Sequence, residues 1–241
     1  NGGSLTVAFA ANGTVADQLA VRNEGTGAGQ IGVSGATITF GGAAIGSAAG
    51  GTNGTDLVIS VNSAAATPAA VQALARNITF ANTSDAPSTA ARTVSFTVVD
   101  GDGGTQSDST TATINVTAVN DAPAVAGGGT LAYTENGAAA PISPAGTITD
   151  PDSADFSGGL LTVAFTANGS AADQLAVIHQ GTGAGQIGIS GNDVSFGGAT
   201  IGTFSGGANG SDLVVTFTAS EATPAAVQAL MQAIGFNNTS D

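Results

Sequence analysis

Tandem antiparallel β-sandwiches, each carrying one short helix, are what the sequence predicts. Three observations support this all-β expectation. Apolar and polar residues alternate with period two in segment after segment, the pattern of a strand with one buried face. Glycine supplies 37 of 241 residues and only 8% are charged, so turns are plentiful and the polar surface falls to Thr, Ser, Asn and Gln. One proline-led amphipathic segment interrupts the strands and returns 156 residues later.

In chain order, Leu5, Val7 and Phe9 mark the first strand, followed by Ile31/Val33, Ile38/Phe40 and Leu57/Ile59/Val61. A helix over 67–76 comes next. Thr67 is a good N-cap, Pro68 suits the first helical position, and Val71 and Leu74 share a face. Val94, Phe96 and Val98 alternate with Thr93, Ser95 and Thr97; Ala112, Ile114, Val116 and Ala118 alternate with Thr111, Thr113, Asn115 and Thr117. These two segments, 93–99 and 110–119, flank a turn-rich stretch and predict a hairpin.

Residues 1–85 then recur as 157–241 without a gap, 54 of the 85 positions being identical. Leu161–Phe165 repeats the first strand, and Thr223, Pro224, Val227 and Leu230 repeat the helix over 223–233. A period of 156 is too long for a solenoid and suits one whole domain. The run Val119-Asn120-Asp121-Ala122-Pro123, ahead of Gly127–Gly129, marks the junction. The expected domains are 1–121, lacking about 35 N-terminal residues of the repeat, and 122–241, lacking about 36 C-terminal ones. The second half has no counterpart of the strands at 93–99 and 110–119. Either the polypeptide continues, or a neighbouring chain supplies them.

Composition removes several function classes. With no cysteine there is no disulfide, thiolate nucleophile or Cys-ligated metal. One histidine, His179, leaves no His-rich centre, and the absence of lysine leaves no Schiff base. A net charge of −14 with three arginines provides no phosphate-tracking stripe, so no nucleic-acid partner is expected. No apolar run approaches the roughly 18 residues of a spanning helix, and no membrane insertion is expected. An internal piece of a soluble, acidic protein is the expectation.

The acids are uneven. Residues 100–155 hold Asp100, Asp102, Asp108, Asp121, Glu135, Asp150, Asp152 and Asp155 with no base, while the other 185 residues hold nine acids and all three arginines. Two like charges 4 Å apart repel by roughly 4 kcal/mol at an effective dielectric near 20, which favours a cation among them. Asp, Glu, Asn and backbone oxygens without His or Cys suit calcium. Solvated turns, in which Asp and Asn bend the chain for local reasons, fit the same spacing.

Phe96-Thr-Val-Val-Asp100, Gly103-Gly104, Ser109–Ile114 and Val119–Pro123, followed by Glu135-Asn136 and Thr149-Asp150-Pro151-Asp152-Ser153, resemble in order the motifs across a cadherin repeat junction. With the Thr-Pro-Ala-Ala-Val-Gln-Ala-Leu helix and Asn-Thr-Ser-Asp, the chain looks like the cadherin-like repeats of giant bacterial surface proteins and adhesins. The resemblance implies cadherin/Ig-like sandwiches in tandem, secreted to the cell surface. It also implies calcium held between successive domains by Asn120, Asp121, Glu135, Asp150 and Asp152, with Asp85 standing where the family places an acidic ligand before the penultimate strand. Ala118 occupies the place of the linker's first Asp, and no Asn separates Asp121 from Ala122, so one or two ions are expected rather than three.

Other motifs have local readings. Gly27-x-Gly29-x-x-Gly32 and Gly183-x-Gly185-x-x-Gly188 fit a dinucleotide pattern but have no βαβ unit around them. Ser34 and Ser190 lack a base beside them, and Asp56 and Asp212 read as turn residues. No enzyme activity is expected. The expected role is a calcium-rigidified spacer or adhesive segment whose partners are adjacent repeats, neighbouring copies or a cell-surface ligand. The alternative is a self-assembling subunit of an extracellular fibre or surface layer, completed head to tail.

Overall fold

The computed structural model describes residues 2–101 and 106–240. Asp102 and Gly103-Gly104, named above among the acids and motifs, lie outside the described residues. The chain is mostly β, 42% strand and 8% helix, with all sheet pairings antiparallel. It divides into two compact units, Asn1–Val119 and Asn120–Asp241.

The first unit runs β1 (Gly3–Ala11), β2 (Asp17–Val21), β3 (Ile31–Ser34), β4 (Thr37–Phe40), β5 (Ala43–Gly50), β6 (Leu57–Val61), α1 (Pro68–Arg76), β7 (Ile78–Asn82), β8 (Arg92–Val99) and β9 (Ser107–Ile114). One large sheet has the order β3-β4-β5-β6-β1-β8-β9, and β2 pairs with β7 in a second. The alternation predicted from sequence appears as burial: Leu57, Ile59 and Val61 turn inward along β6, Leu5 and Val7 along β1. They meet Leu19 of β2 and Ala70 and Leu74 of α1 in one core. The helix begins where its cap predicts, with Thr67 Oγ1 accepting the Ala70 N–H at 3.3 Å and Pro68 in the first turn. The two sheets are tied where Leu19 N–H donates to the Gly51 carbonyl, 2.7 Å away.

The second unit runs β10 (Ala124–Ala126), β11 (Ala140–Pro141), β12 (Thr147–Thr149), β13 (Leu160–Val163), β14 (Asp173–Val177), β15 (Ile187–Ser190), β16 (Asp193–Phe196), β17 (Ala199–Gly206), β18 (Leu213–Phe217), α2 (Pro224–Gln232) and β19 (Ile234–Asn238). Its sheets have the orders β13-β18-β17-β16-β15, β11-β19-β14 and β10-β12. Residues 140–149 cover α2: the Ile148 N–H donates to Gln228 Oε1, Gln232 Nε2 donates to the Gly146 carbonyl, and Met231 packs against Gly146. Accordingly α2 buries Val227 and Met231 beside Ala226 and Leu230, whereas α1 buries only Ala70 and Leu74.

Two sequence expectations, both about the hairpin, need adjusting. The second strand of the hairpin spans Ser107–Ile114 rather than 110–119, so Val116 and Ala118 lie outside it. Its alternation does not produce a buried face, because β9 is the edge of the large sheet and Ala112 stays exposed. Val71, expected on the same face as Leu74, is half-buried. Among the described residues, five non-glycine residues have positive φ, and each is the Asn of an Asn-Gly pair: Asn12, Asn53, Asn136, Asn168 and Asn209. Asparagine's short polar side chain makes it the residue that best tolerates that turn.

Candidate functional site

The second unit brings together four of the six sequence-predicted ligands. β12 pairs with β10 (Ala124↔Thr149), which sets the residues just before β10 beside those just after β12. Past the end of β12, Asp150 Oδ1 accepts N–H groups from Asp152 at 3.3 Å and Ser153 at 2.9 Å, so the Asp-Pro-Asp-Ser segment folds back on itself. Asp152 Oδ2 accepts the Asp121 backbone N–H at 3.0 Å, joining the segment ahead of β10 to this turn. Asn120 Nδ2 donates to the Asp121 carbonyl at 2.8 Å. The other oxygen of Asp152, Oδ1, is buried and has no hydrogen-bond partner.

Burial pushes the Asp150 carboxyl up, but the N–H groups of Ser153 and Asp152 together hold it below the usual aspartate range. It is therefore ionised at neutral pH. The orphaned Asp152 oxygen is a hard acceptor with no donor to offset its loss of water, a costly arrangement that a cation relieves. Asp121, Asp150, Asp152 and the Asn120 amide oxygen are all ligands that calcium takes.

The remaining two candidates each have local surroundings of their own. Glu135 is exposed in a tight turn closed by Gly137 N–H on the Thr134 carbonyl at 3.0 Å, beside Tyr133, whose ring meets Phe236 edge-on at 5.0 Å. Asp85 is exposed in the first unit, three residues after β7. Among the described residues, no group of three or more His, Cys, Asp or Glu side chains is already gathered in a metal-holding arrangement.

The residues that sequence reasoning missed are Asp17 and Arg92. Both are 0% exposed, with Arg92 Nε 3.3 Å from Asp17 Oδ2. Asp17 also accepts from Thr14 N at 2.8 Å, Thr14 Oγ1 at 3.0 Å and Asn82 Nδ2 at 2.7 Å, while Arg92 Nη1 donates to the carbonyls of Ser88 and Ala90. The signal was present: Arg92 falls in phase with Val94, Phe96 and Val98, on the inward face of its strand. His179, by contrast, is a structural substitution. Its Nδ1 accepts the Ile189 N–H at 2.9 Å, as Asn23 Oδ1 accepts the Val33 N–H at 3.1 Å in the other copy.

Compared with protein-family models, curated proteins and solved structures, the chain matches none.

Proposed function

We propose that the chain is a non-enzymatic, calcium-rigidified repeat segment of a cadherin-like bacterial cell-surface protein, acting as spacer or adhesive element. The observation that supports this best is the buried, unpartnered Oδ1 of Asp152 beside Asp121 and Asp150. Calcium there would draw in carboxylate and amide oxygens and fix the segment entering the second unit to its Asp150–Asp152 turn. Without the ion, the same carboxylates repel one another, and the Asp121–Asp152 hydrogen bond and the short β10–β12 ladder hold that segment against them.

At millimolar extracellular calcium, a dissociation constant of about 10 μM would stabilise the bound state by roughly 2.7 kcal/mol, a hundredfold shift in population. Isothermal titration of the full chain is the test. Saturable binding, lost in Asp150→Asn/Asp152→Asn while both units stay folded by circular dichroism, is expected. No heat up to several millimolar calcium would reduce the acidic cluster to solvated turns.

A second reading, a self-assembling subunit of a fibre or surface layer, is favoured by the unpaired edge of β13, where Leu160 is 65% exposed. Electron microscopy separates the two: isolated rods favour the spacer, ordered polymers the fibre.

A further inference from the structure

The two units share a sequence but not a set of partners, and the difference points to a docking site. In the first unit β1 is flanked by β6 and β8; its β8 register places Leu5 opposite Val98, Val7 opposite Phe96 and Phe9 opposite Val94. The same sequence in the second unit ends its strand at Val163, four residues long against nine, and β13 is the sheet edge. Phe165, the counterpart of Phe9, is outside the strand. Pairing with β8 is thus what extends this strand past its contact with the neighbouring β6-type strand.

Beside that edge lies a groove of about 410 Å³, lined by Leu161, Val163, Val125, Ile142, Met231 and Ile234. Asp173, the counterpart of Asp17, sits in the same cradle: Asn238 Nδ2 donates to it at 2.6 Å and Ser170 N–H at 2.8 Å. The arginine is what differs. Residues 120–241 contain no lysine or arginine at all. Asn168 likewise repeats Asn12, whose Nδ2 donates to the carbonyl of Ala91, immediately ahead of Arg92.

We propose that the β13 edge and the Asp173 carboxylate form a docking site for an arginine-led β-strand of the Arg92–Val99 kind. The proposal rests on reading the chain as a tandem repeat. The incoming strand adds antiparallel to β13, placing its Val, Phe and Val opposite Phe165, Val163 and Leu161, and its guanidinium on Asp173. Charge selects the occupant: a carboxylate already fixed by two donors is preorganised for a guanidinium. A second intact copy is a poor donor, because its own β8 is already held between β1 and β9.

The test titrates the full chain, in EDTA, with a synthetic hairpin peptide of residues 85–115. Saturable one-to-one binding is expected, with amide shifts at 160–168 and at Asp173. Arg92→Gln in the peptide should weaken it at least tenfold, Asp173→Asn in the chain should do the same, and the two losses should not add. No binding, equal binding of the Arg92→Gln peptide, or shifts confined to residues 1–119 would overturn the proposal. So would self-association of the chain that the peptide cannot displace, which puts a second copy on the edge. Because the titration contains no calcium, its failure and the failure of calcium binding are separate results.

Discussion

The Asp17–Arg92 pair decides whether the hairpin β8–β9 stays on the first unit's core. Both side chains have left water entirely, so neither can lose its partner without being stranded. Arg92→Ala should cost about 3–5 kcal/mol, read as an earlier first transition in urea. The Asp17 carboxyl is pushed up by burial, but donors from Asn82, Thr14 and Arg92 together hold it below its usual value. A depressed folded-state value means its stabilisation is complete above the ordinary aspartate range, about 3.9, and drains away as pH falls through the folded value. Thermal scans should show the wild type losing more stability than Arg92→Ala on acidification below pH 4. Between the copies, tolerated substitutions keep the hydrogen-bond role: Glu24 and Gln180 both accept the N–H of the isoleucine seven residues on, at 3.1 and 2.9 Å. Such a role is not announced by residue type: Asp17 gives no local sign of its partners, and Arg92 shows itself only through its phase with Val94 and Phe96.

Among elements, helices and inner strands were the most legible, because their signals are local. Thr67-Pro68 and Thr223-Pro224 place the helix starts by capping alone, and both structures begin at the proline. The ends of β1, β9 and β13 were not legible, since each depends on which strand lies alongside. The same LTVAF sequence gives a long strand beside β8 and a short one without it. Where an element meets a neighbouring backbone, glycine sets the limit. Gly207 has φ +84°, and a Cβ there would lie 2.2 Å from the Leu175 carbonyl oxygen. The Leu175 N–H donates to Gly207's own carbonyl at 2.7 Å, so the contact that links the two sheets cannot simply open. Gly207→Ala should therefore destabilise the second unit by at least about 2 kcal/mol, through backbone strain and the lost approach, measured by chemical denaturation.

Over the whole molecule the repeat was legible, because an offset of 156 aligns residues 1–85 with 157–241 without a gap. Each unit keeps what the other lacks: the first has β8 and β9, the second has β10 to β12 over its helix. The consequence for the candidate site is mixed. Asn120, Asp121, Asp150 and Asp152 lie close because β10 and β12 pair, a local event that the motif order anticipates. Glu135, by contrast, is exposed in its own turn between Thr134 and Gly137.

The buried Arg92 side chain also bears on how the chain meets a protease. Trypsin cuts only after lysine and arginine, so Arg22, Arg76 and Arg92 are its sole targets, and residues 93–241 offer none. The Arg22 side chain is 60% exposed, in the segment after β2, and is the natural first nick. Arg92 can be reached only when its pocket opens, and release of the intact 93–241 piece therefore times that opening. Asp17→Asn, which withdraws the charge that holds the guanidinium, should quicken its appearance on a gel several-fold. More than half of the molecule, residues 93–241, is invisible to that enzyme, folded or not, and the clock runs on one side chain.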